Sequence, residues 1–229
     1  MSPPGAPAAS IDGPAGRVEA LVEEPAAGVP LSFAAVVCHP HPLFGGTLHN
    51  TVVHTLARAL REGGAATLRF NVPGTGGSEG RHDEGVGETA DTLAAVAWAR
   101  SRWPAMPLLL AGFSFGAAVA IRAAAAADPL WLISVAPAVD RVSLGDLVTP
   151  QCEWLIVQGS ADEIVAPESV RAWAERVAPR ARLRMLPGVG HFFHGALQEL
   201  QLCIGEEWPE TIKQRARHLR AGPGPQNGD

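Results

Sequence analysis

The strongest constraint on the fold is a segment in which an apolar stretch passes through glycine, serine and glycine into a run of alanines. The residues are LLLAGFSFGAAVAIRAAAA, with Ser114 between Gly112 and Gly116. We predict a strand over 107–113 and a helix over 117–127. The turn between them is so tight that Ser114 must adopt a strained backbone conformation, and the residues two positions away must lack side chains.

This turn would make Ser114 a nucleophile. It lifts the hydroxyl clear of the sheet and directs the amide of Phe115 and the helix dipole toward the same point, which suits a developing oxyanion. The pattern GxSxG also arises by chance in a glycine-rich chain, and this one has 25 glycines in 229 residues. The strand before it and the helix after it favour the nucleophile, which then also needs a base and an orienting acid.

The rest of the chain alternates between strand and helix patterns. This rhythm predicts an α/β fold, with a mostly parallel sheet and helices on both faces. In such sheets the chemistry lies in loops at the carboxyl ends of the strands. The predicted strands are 33–38, 65–72, 107–113, 129–135, 153–158 and 181–186, after an alternating segment at 16–24. The predicted helices run between an Asn50 N-cap and Gly63, over 88–102, 117–127 and 167–177, and from about 195 until Pro209 interrupts.

An acid and a base follow the last two predicted strands. Asp162 comes just after the strand at 153–158, and His191 lies in a glycine-flanked loop after the strand at 181–186. The order Ser, Asp, His along the chain is the one expected for a nucleophile of this kind. Glu163 and His194 are the alternatives, and we prefer Asp162 and His191 because each is nearer to its strand end.

A second oxyanion donor is expected in the loop after the first buried strand, CHPHPLFGGT. Pro40 and Pro42 have no N–H to donate. The candidates are therefore the amides of His41, Leu43 and Phe44, of which we choose Leu43.

The same region invites a metal interpretation, because His39, His41, His49 and His54 fall within sixteen residues and an HxH pair is a common zinc motif. No Asp or Glu lies between His39 and His54 to complete a hydrolytic metal site. We therefore predict no metal and no cofactor.

Composition limits the location and partners of the chain. The length suits one domain, predicted over 16–220, between disordered tails at 1–15 and 221–229 that are rich in glycine and proline. There is no apolar run of about 18 residues and no signal-peptide pattern at the start. The three widely spaced cysteines suit a reducing cytoplasm, and a net charge of −5 argues against a nucleic-acid partner. We expect a cytoplasmic monomer or homodimer without a membrane or nucleic-acid partner.

The sequence resembles the α/β-hydrolase superfamily, and within it the small lidless bacterial hydrolases that carry an HPHPLxGGT loop. The resemblance implies that Ser114, Asp162 and His191 are the catalytic triad and that Phe115 supplies the amide at the serine turn. The sequence departs from relatives with FNFRGxGxSxG by placing Pro73 at the arginine position. The likeness spans about residues 17–217, with its most specific segments at 39–47, 70–80, 112–116, 159–167 and 188–195.

These observations predict a cofactor-independent serine hydrolase that cleaves a carboxylic ester or thioester through an acyl-enzyme on Ser114. Only about seventeen residues separate the strands at 129–135 and 153–158, too few for a cap domain, so the site should be open and suit small or flexible acyl substrates. One alternative is an amidase or peptidase of the same fold. Others are a non-catalytic binding protein on a hydrolase scaffold and, more distantly, a metal-dependent hydrolase.

Overall fold

One sheet organises the residues that the computed structural model describes, which are 8–140, 149–177 and 181–214. Its eight strands follow the order β1-β2-β4-β3-β5-β6-β7-β8, and pairing is antiparallel only for β1 with β2 and β2 with β4. The predicted α/β fold with a mostly parallel sheet is confirmed. The strands are β1 Ala8–Gly13, β2 Gly16–Glu23, β3 Phe33–Cys38, β4 Ala65–Phe70, β5 Leu108–Phe113, β6 Trp131–Val135, β7 Glu153–Gly159 and β8 Ala181–Leu186.

Helices cover both faces of this sheet. Helices α2, α3 and α4 pack with one apolar cluster, and α1 and α5 pack with the other. Strands β3, β4 and β5 lie between the two clusters and are buried along their whole length, as expected for near-continuous apolar strands in a parallel sheet. The helices are α1 Thr51–Glu62, α2 Val86–Arg102, α3 Phe115–Ala127, α4 Pro167–Val177 and α5 Leu197–Glu206.

Local sequence signals fix several of these boundaries. The side chain of Asn50 accepts hydrogen bonds from the amides of Val52 and Val53 at the start of α1, as the sequence predicts for an N-cap. Strand β4 ends at Phe70, two residues before the predicted end; beyond it the Asn71 amide donates to the Glu19 carbonyl, and the Asn71 side chain binds Glu19 and the amide of Leu48.

Strand β1 corrects the prediction of a disordered tail over 1–15. Residues 8–13 pair antiparallel with β2, and the strands join through Gly13 and Gly16. Ile11 and Val18 are buried in one of the two apolar clusters, so this hairpin belongs to the core and β1 forms one edge of the sheet. The strand is not evident from its sequence because its order depends on β2 and on α2. Residues 1–7 and the predicted tail at 221–229 lie outside the described residues.

Within the described part of the chain, no helix combines the length and the apolar character needed to cross a bilayer.

The carboxyl group of Asp91 on α2 is buried without a hydrogen-bond partner among the described residues. The residue is 1% exposed, and both carboxyl oxygens lack such a partner. Burial, with a further contribution from the nearby charge of Glu88, raises the pKa of Asp91 from 3.8 to about 6. Ionising Asp91 therefore costs more in the folded protein than in the unfolded chain.

This geometry predicts that Asp91→Asn stabilises the protein in a pH-dependent way. Because the folded pKa is raised, the wild-type chain loses stability as pH rises from about 4 to 6, and above pH 6 the full loss remains. The free energy of unfolding of Asp91→Asn minus that of wild type should grow across this window, by up to about 3 kcal/mol, and then level off. Denaturant titrations from pH 4.5 to 8 measure it. The exposed Asp12 supplies the control, since Asp12→Asn should show no such trend; a flat difference for Asp91→Asn would contradict the prediction.

Candidate active site

Ser114 occupies the sharp turn that the sequence predicts between β5 and α3. Its backbone has φ 55° and ψ −118°, a conformation that costs energy for a residue with a side chain. A Cβ on Gly112 would overlap the backbone of Gly116, and a Cβ on Gly116 would overlap the carbonyls of Cys38 and His39. Both positions therefore require glycine, because the neighbouring backbone lies too close to leave room for a side chain.

The structure brings Ser114, His191 and Asp162 into one hydrogen-bonded line. Nε2 of His191 lies 3.1 Å from Oγ of Ser114, and Nδ1 of His191 lies 2.8 Å from Oδ2 of Asp162. The three residues follow β5, β8 and β7, whose carboxyl ends share one edge of the sheet. All three are buried. The arrangement can move a proton from the serine oxygen to the imidazole while a carboxylate holds the ring.

The environment of Asp162 keeps it ionised. Burial by itself raises the pKa of this carboxyl, but hydrogen bonds from His191 and from the amides of Val165 and Ile164 outweigh it, so the pKa lies below its ordinary value. Nε2 of Gln158 donates to Oδ2 at 2.9 Å. An ionised Asp162 accepts the Nδ1 hydrogen of His191, and this tautomer leaves Nε2 free to accept a proton.

The two alternative residues occupy other positions. The carboxylate of Glu163 accepts a hydrogen bond from the backbone amide of His191 at 3.2 Å, so it supports the loop rather than the imidazole. His194 is exposed, and its ring stacks on Phe192 with the centroids 5.8 Å apart.

A strained aromatic residue holds the His191 loop. Phe193 has φ 54° and is fully buried, and its ring meets Phe113 edge-on at 6.3 Å, while the His191 ring lies 5.1 Å from Phe113. A positive φ is rare for a bulky residue and persists only where packing enforces it. Phe113, the last residue of β5 before Ser114, therefore also positions the imidazole.

The candidate oxyanion donors differ in how the structure engages them. Phe115 is the first residue of α3, so its amide has no acceptor within the helix. In the loop after β3, the amide of Leu43 donates to Nδ1 of His41 at 3.3 Å, and the amide of Phe44 donates to the His41 carbonyl at 3.2 Å. These bonds count against Leu43, our choice from sequence, and against Phe44. The His41 ring lies 4.8 Å from the ring of Phe115, so the loop after β3 lies beside the serine turn.

His39 is a structural residue. It is fully buried, and its Nδ1 donates to the carbonyl of Pro40 at 2.6 Å while its Nε2 accepts from the amide of Val72 at 3.1 Å. Burial lowers its pKa to about 4, so the ring is neutral at physiological pH. In the part of the chain that is described, no group of three or more His, Cys, Asp and Glu side chains is placed to hold a metal ion.

Sequence reasoning missed a second pair of histidine and carboxylate beside the turn. Nδ1 of His82 lies 2.6 Å from Oε1 of the buried Glu88, and the His82 ring lies 5.5 Å from that of Phe115. The available signal was Glu88 three residues after Gly85, the spacing of a capping box. It predicts a helix start but does not show that a histidine would share the carboxylate.

Comparisons with known proteins agree with the fold. A family model described as serine aminopeptidase, S33, matches residues 34–150. The structure of an α/β serine hydrolase without a lid from Xanthomonas campestris is 40% identical, with a TM-score of 0.83, and the match covers 99% of each chain. The structure of a serine hydrolase homologue from Coxiella burnetii is 41% identical, with a TM-score of 0.85, over 89% of this chain and 97% of that one.

A curated protein of Rickettsia prowazekii is 31% identical over 218 residues, which is 91% of this chain and 90% of that protein. The prediction of a lidless α/β hydrolase is confirmed by these matches, whereas the HPHPLxGGT loop as a mark of the group stays a prediction. The chain belongs to the α/β serine hydrolases, in the family described as serine aminopeptidase, S33.

Proposed function

We propose that the protein cleaves a carboxylic ester or thioester of a small acyl substrate through an acyl-enzyme on Ser114. The observation that carries the proposal is the hydrogen-bonded line from Oγ of Ser114 through His191 to Asp162, with distances of 3.1 and 2.8 Å. Both contacts lie within hydrogen-bond reach for proton transfer and for orienting the base.

The reaction takes place in two halves. Nε2 of His191 accepts the Ser114 proton as Oγ bonds to the substrate carbonyl carbon, and the protonated imidazole then donates that proton to the departing alcohol or thiol. In the second half a water molecule takes the place of Ser114. His191 accepts a proton from the water as its oxygen bonds to the acyl carbon, and the imidazolium then returns that proton to Oγ as Ser114 leaves. Asp162 stabilises the imidazolium in both halves.

The oxyanion is stabilised by amides at the turn. The amide of Phe115, at the start of α3, adds a hydrogen bond and the positive end of the helix dipole. The second donor would come from the loop after β3, where the candidates are the amides of His41, Leu43 and Phe44, and those of Leu43 and Phe44 donate within the loop in this structure.

The proposed preference for small acyl groups rests on an open site. Strands β6 and β7 are separated by residues 136–152, of which 141–148 lie outside the described residues. Leu43 and Phe44 beside the turn are 72% and 81% exposed. A substrate bound here would lose little contact with water, so a long acyl chain would gain little from burial.

An amidase or aminopeptidase is the second candidate, favoured by the description of the matching family. The same three residues serve both reactions, and the difference lies in protonating a poorer leaving group. A non-catalytic protein on this fold is the third alternative.

A panel of acyl-graded substrates tests the proposal. We expect p-nitrophenyl acetate and butyrate, with the matching thioesters, to be cleaved with kcat/KM values at least about 100-fold above aminoacyl p-nitroanilides, and rates to fall for octanoate and longer esters. A fluorophosphonate probe should label the folded protein at Ser114. Faster cleavage of the anilides would establish the peptidase instead, and folded protein that neither turns over nor labels would establish a binding protein.

A further inference from the structure

His82 is a second imidazole anchored in the same manner as His191. Its Nδ1 lies 2.6 Å from Oε1 of Glu88, whose side chain is fully buried. Because the amides of Asp83 and Gly85 also donate to this carboxylate, at 3.0 and 2.8 Å, both of its oxygens act as acceptors. The Nδ1 of His82 therefore carries the hydrogen.

The anchoring leaves Nε2 of His82 as the remaining polar atom of the ring. It makes no hydrogen bond within residues 8–140, 149–177 and 181–214, and the side chain is 14% exposed. Glu84 and Gly85 have φ 47° and 97°, so a strained turn fits around the carboxylate that orients the ring. A fixed imidazole with hydrogen on Nδ1 presents Nε2 as a hydrogen-bond acceptor.

The ring lies within an aromatic wall beside the nucleophile, formed by Phe44, His41, His82 and Phe115. Ring centroids are 4.9 Å apart for Phe44 and His41, 4.6 Å for His41 and His82, and 4.8 Å for His41 and Phe115. These separations are typical of favourable aromatic pairs. Phe115 follows the nucleophile directly, while Phe44 is 81% exposed, so the wall runs from the serine turn outward to solvent.

We propose that His82 is a positioning residue for esters that carry a hydroxylated aromatic ring. The substrate ring stacks on the exposed part of the aromatic wall, and its hydroxyl donates a hydrogen bond to Nε2 of His82, which Glu88 holds in place. The inference rests on the proposed function and names the substrate class of the same site. In the neutral ring the hydrogen stays on Nδ1 and Nε2 is an acceptor, so the substrate ring must supply the donor.

The test compares each ester with and without the ring hydroxyl. Methyl 4-hydroxycinnamate against methyl cinnamate probes the acyl side, and 4-hydroxybenzyl acetate against benzyl acetate probes the alcohol side. We expect His82→Asn, which keeps a donor near Nδ1 and lacks an Nε2 equivalent, to lower the ratio of the two kcat/KM values about three- to tenfold in one pair. His82→Gln, which places a polar amide near Nε2, should restore much of that ratio. Comparing ratios between variants cancels the intrinsic reactivity of each ester.

His194→Asn is the matched control, because His194 is another imidazole in a loop at the site and should leave the ratios at their wild-type values. A ratio that His82→Asn does not change, that falls equally in His194→Asn, or that His82→Gln fails to restore would overturn the assignment. If neither ester of a pair is cleaved in a Ser114-dependent way, the proposed function itself falls and takes this inference with it.

Discussion

Ser114→Ala is expected to lower kcat/KM on p-nitrophenyl acetate by about 10⁵- to 10⁶-fold, to a small residual rate. The variant removes the oxygen that forms the acyl-enzyme. The amides at the turn and the substrate site remain, and they account for the small residual rate. Initial-rate kinetics measure the loss. The far-ultraviolet circular dichroism spectrum of the variant should match that of wild type, because alanine can adopt the same backbone conformation as serine at this turn.

Ser101→Ala is the control, since Ser101 is exposed near the end of α2 and precedes β5, whose other end leads into Ser114. Its kcat/KM should stay within about twofold of wild type. Normal activity in folded Ser114→Ala protein would remove the acyl-enzyme mechanism.

Asp162→Asn should lower kcat on the same ester by about 10⁴-fold with little change in the fold. The amide of asparagine can donate to Nδ1 of His191, which favours the tautomer with hydrogen on Nε2. In that tautomer Nε2 has no lone pair with which to accept the proton of Ser114. Stopped assays at neutral pH measure the loss, and a fluorophosphonate probe should label the variant far more slowly than wild type.

Glu163→Gln separates the two adjacent acids. Glu163 binds the backbone amide of His191 through a carboxylate oxygen, and glutamine retains an oxygen acceptor there. We expect at most a roughly tenfold loss of kcat for this variant. A larger loss in Glu163→Gln than in Asp162→Asn would transfer the role of the acid to Glu163.

The sequence predicted the sheet and the candidate triad because both follow from strand ends. Ser114, Asp162 and His191 each come within a few residues of the end of a strand, and parallel strands bring those ends to one edge. Strand β8 and helix α4 have the predicted bounds, since proline and apolar periodicity marked them. The hydrogen bonds of His191 then depend on side-chain directions that spacing alone does not give.

The features that escaped prediction depend on contacts made across the chain. Strand β1 has weak local signals and gains order from β2 and α2. The engagement of the Leu43 amide follows from the ring position of His41, which a loop with two prolines does not reveal. The positive φ of Phe193 is maintained by packing against Phe113. The local sequence around Phe193 contains no signal that predicts it.

The close approach of Gly116 to the carbonyls of Cys38 and His39 joins the serine turn to the loop that follows β3. Cys38 and Gly112 are also register partners in adjacent strands, so the sheet fixes the spacing between the two loops that carry the proposed oxyanion donors. For the proposed reaction, this fixed spacing would hold the amides in place before substrate binds, so that little reorganisation energy is spent at the moment of reaction. Selectivity among substrates would then arise outside this rigid centre, in surrounding side chains such as His82, where substitutions can change what is bound without disturbing how it is cleaved.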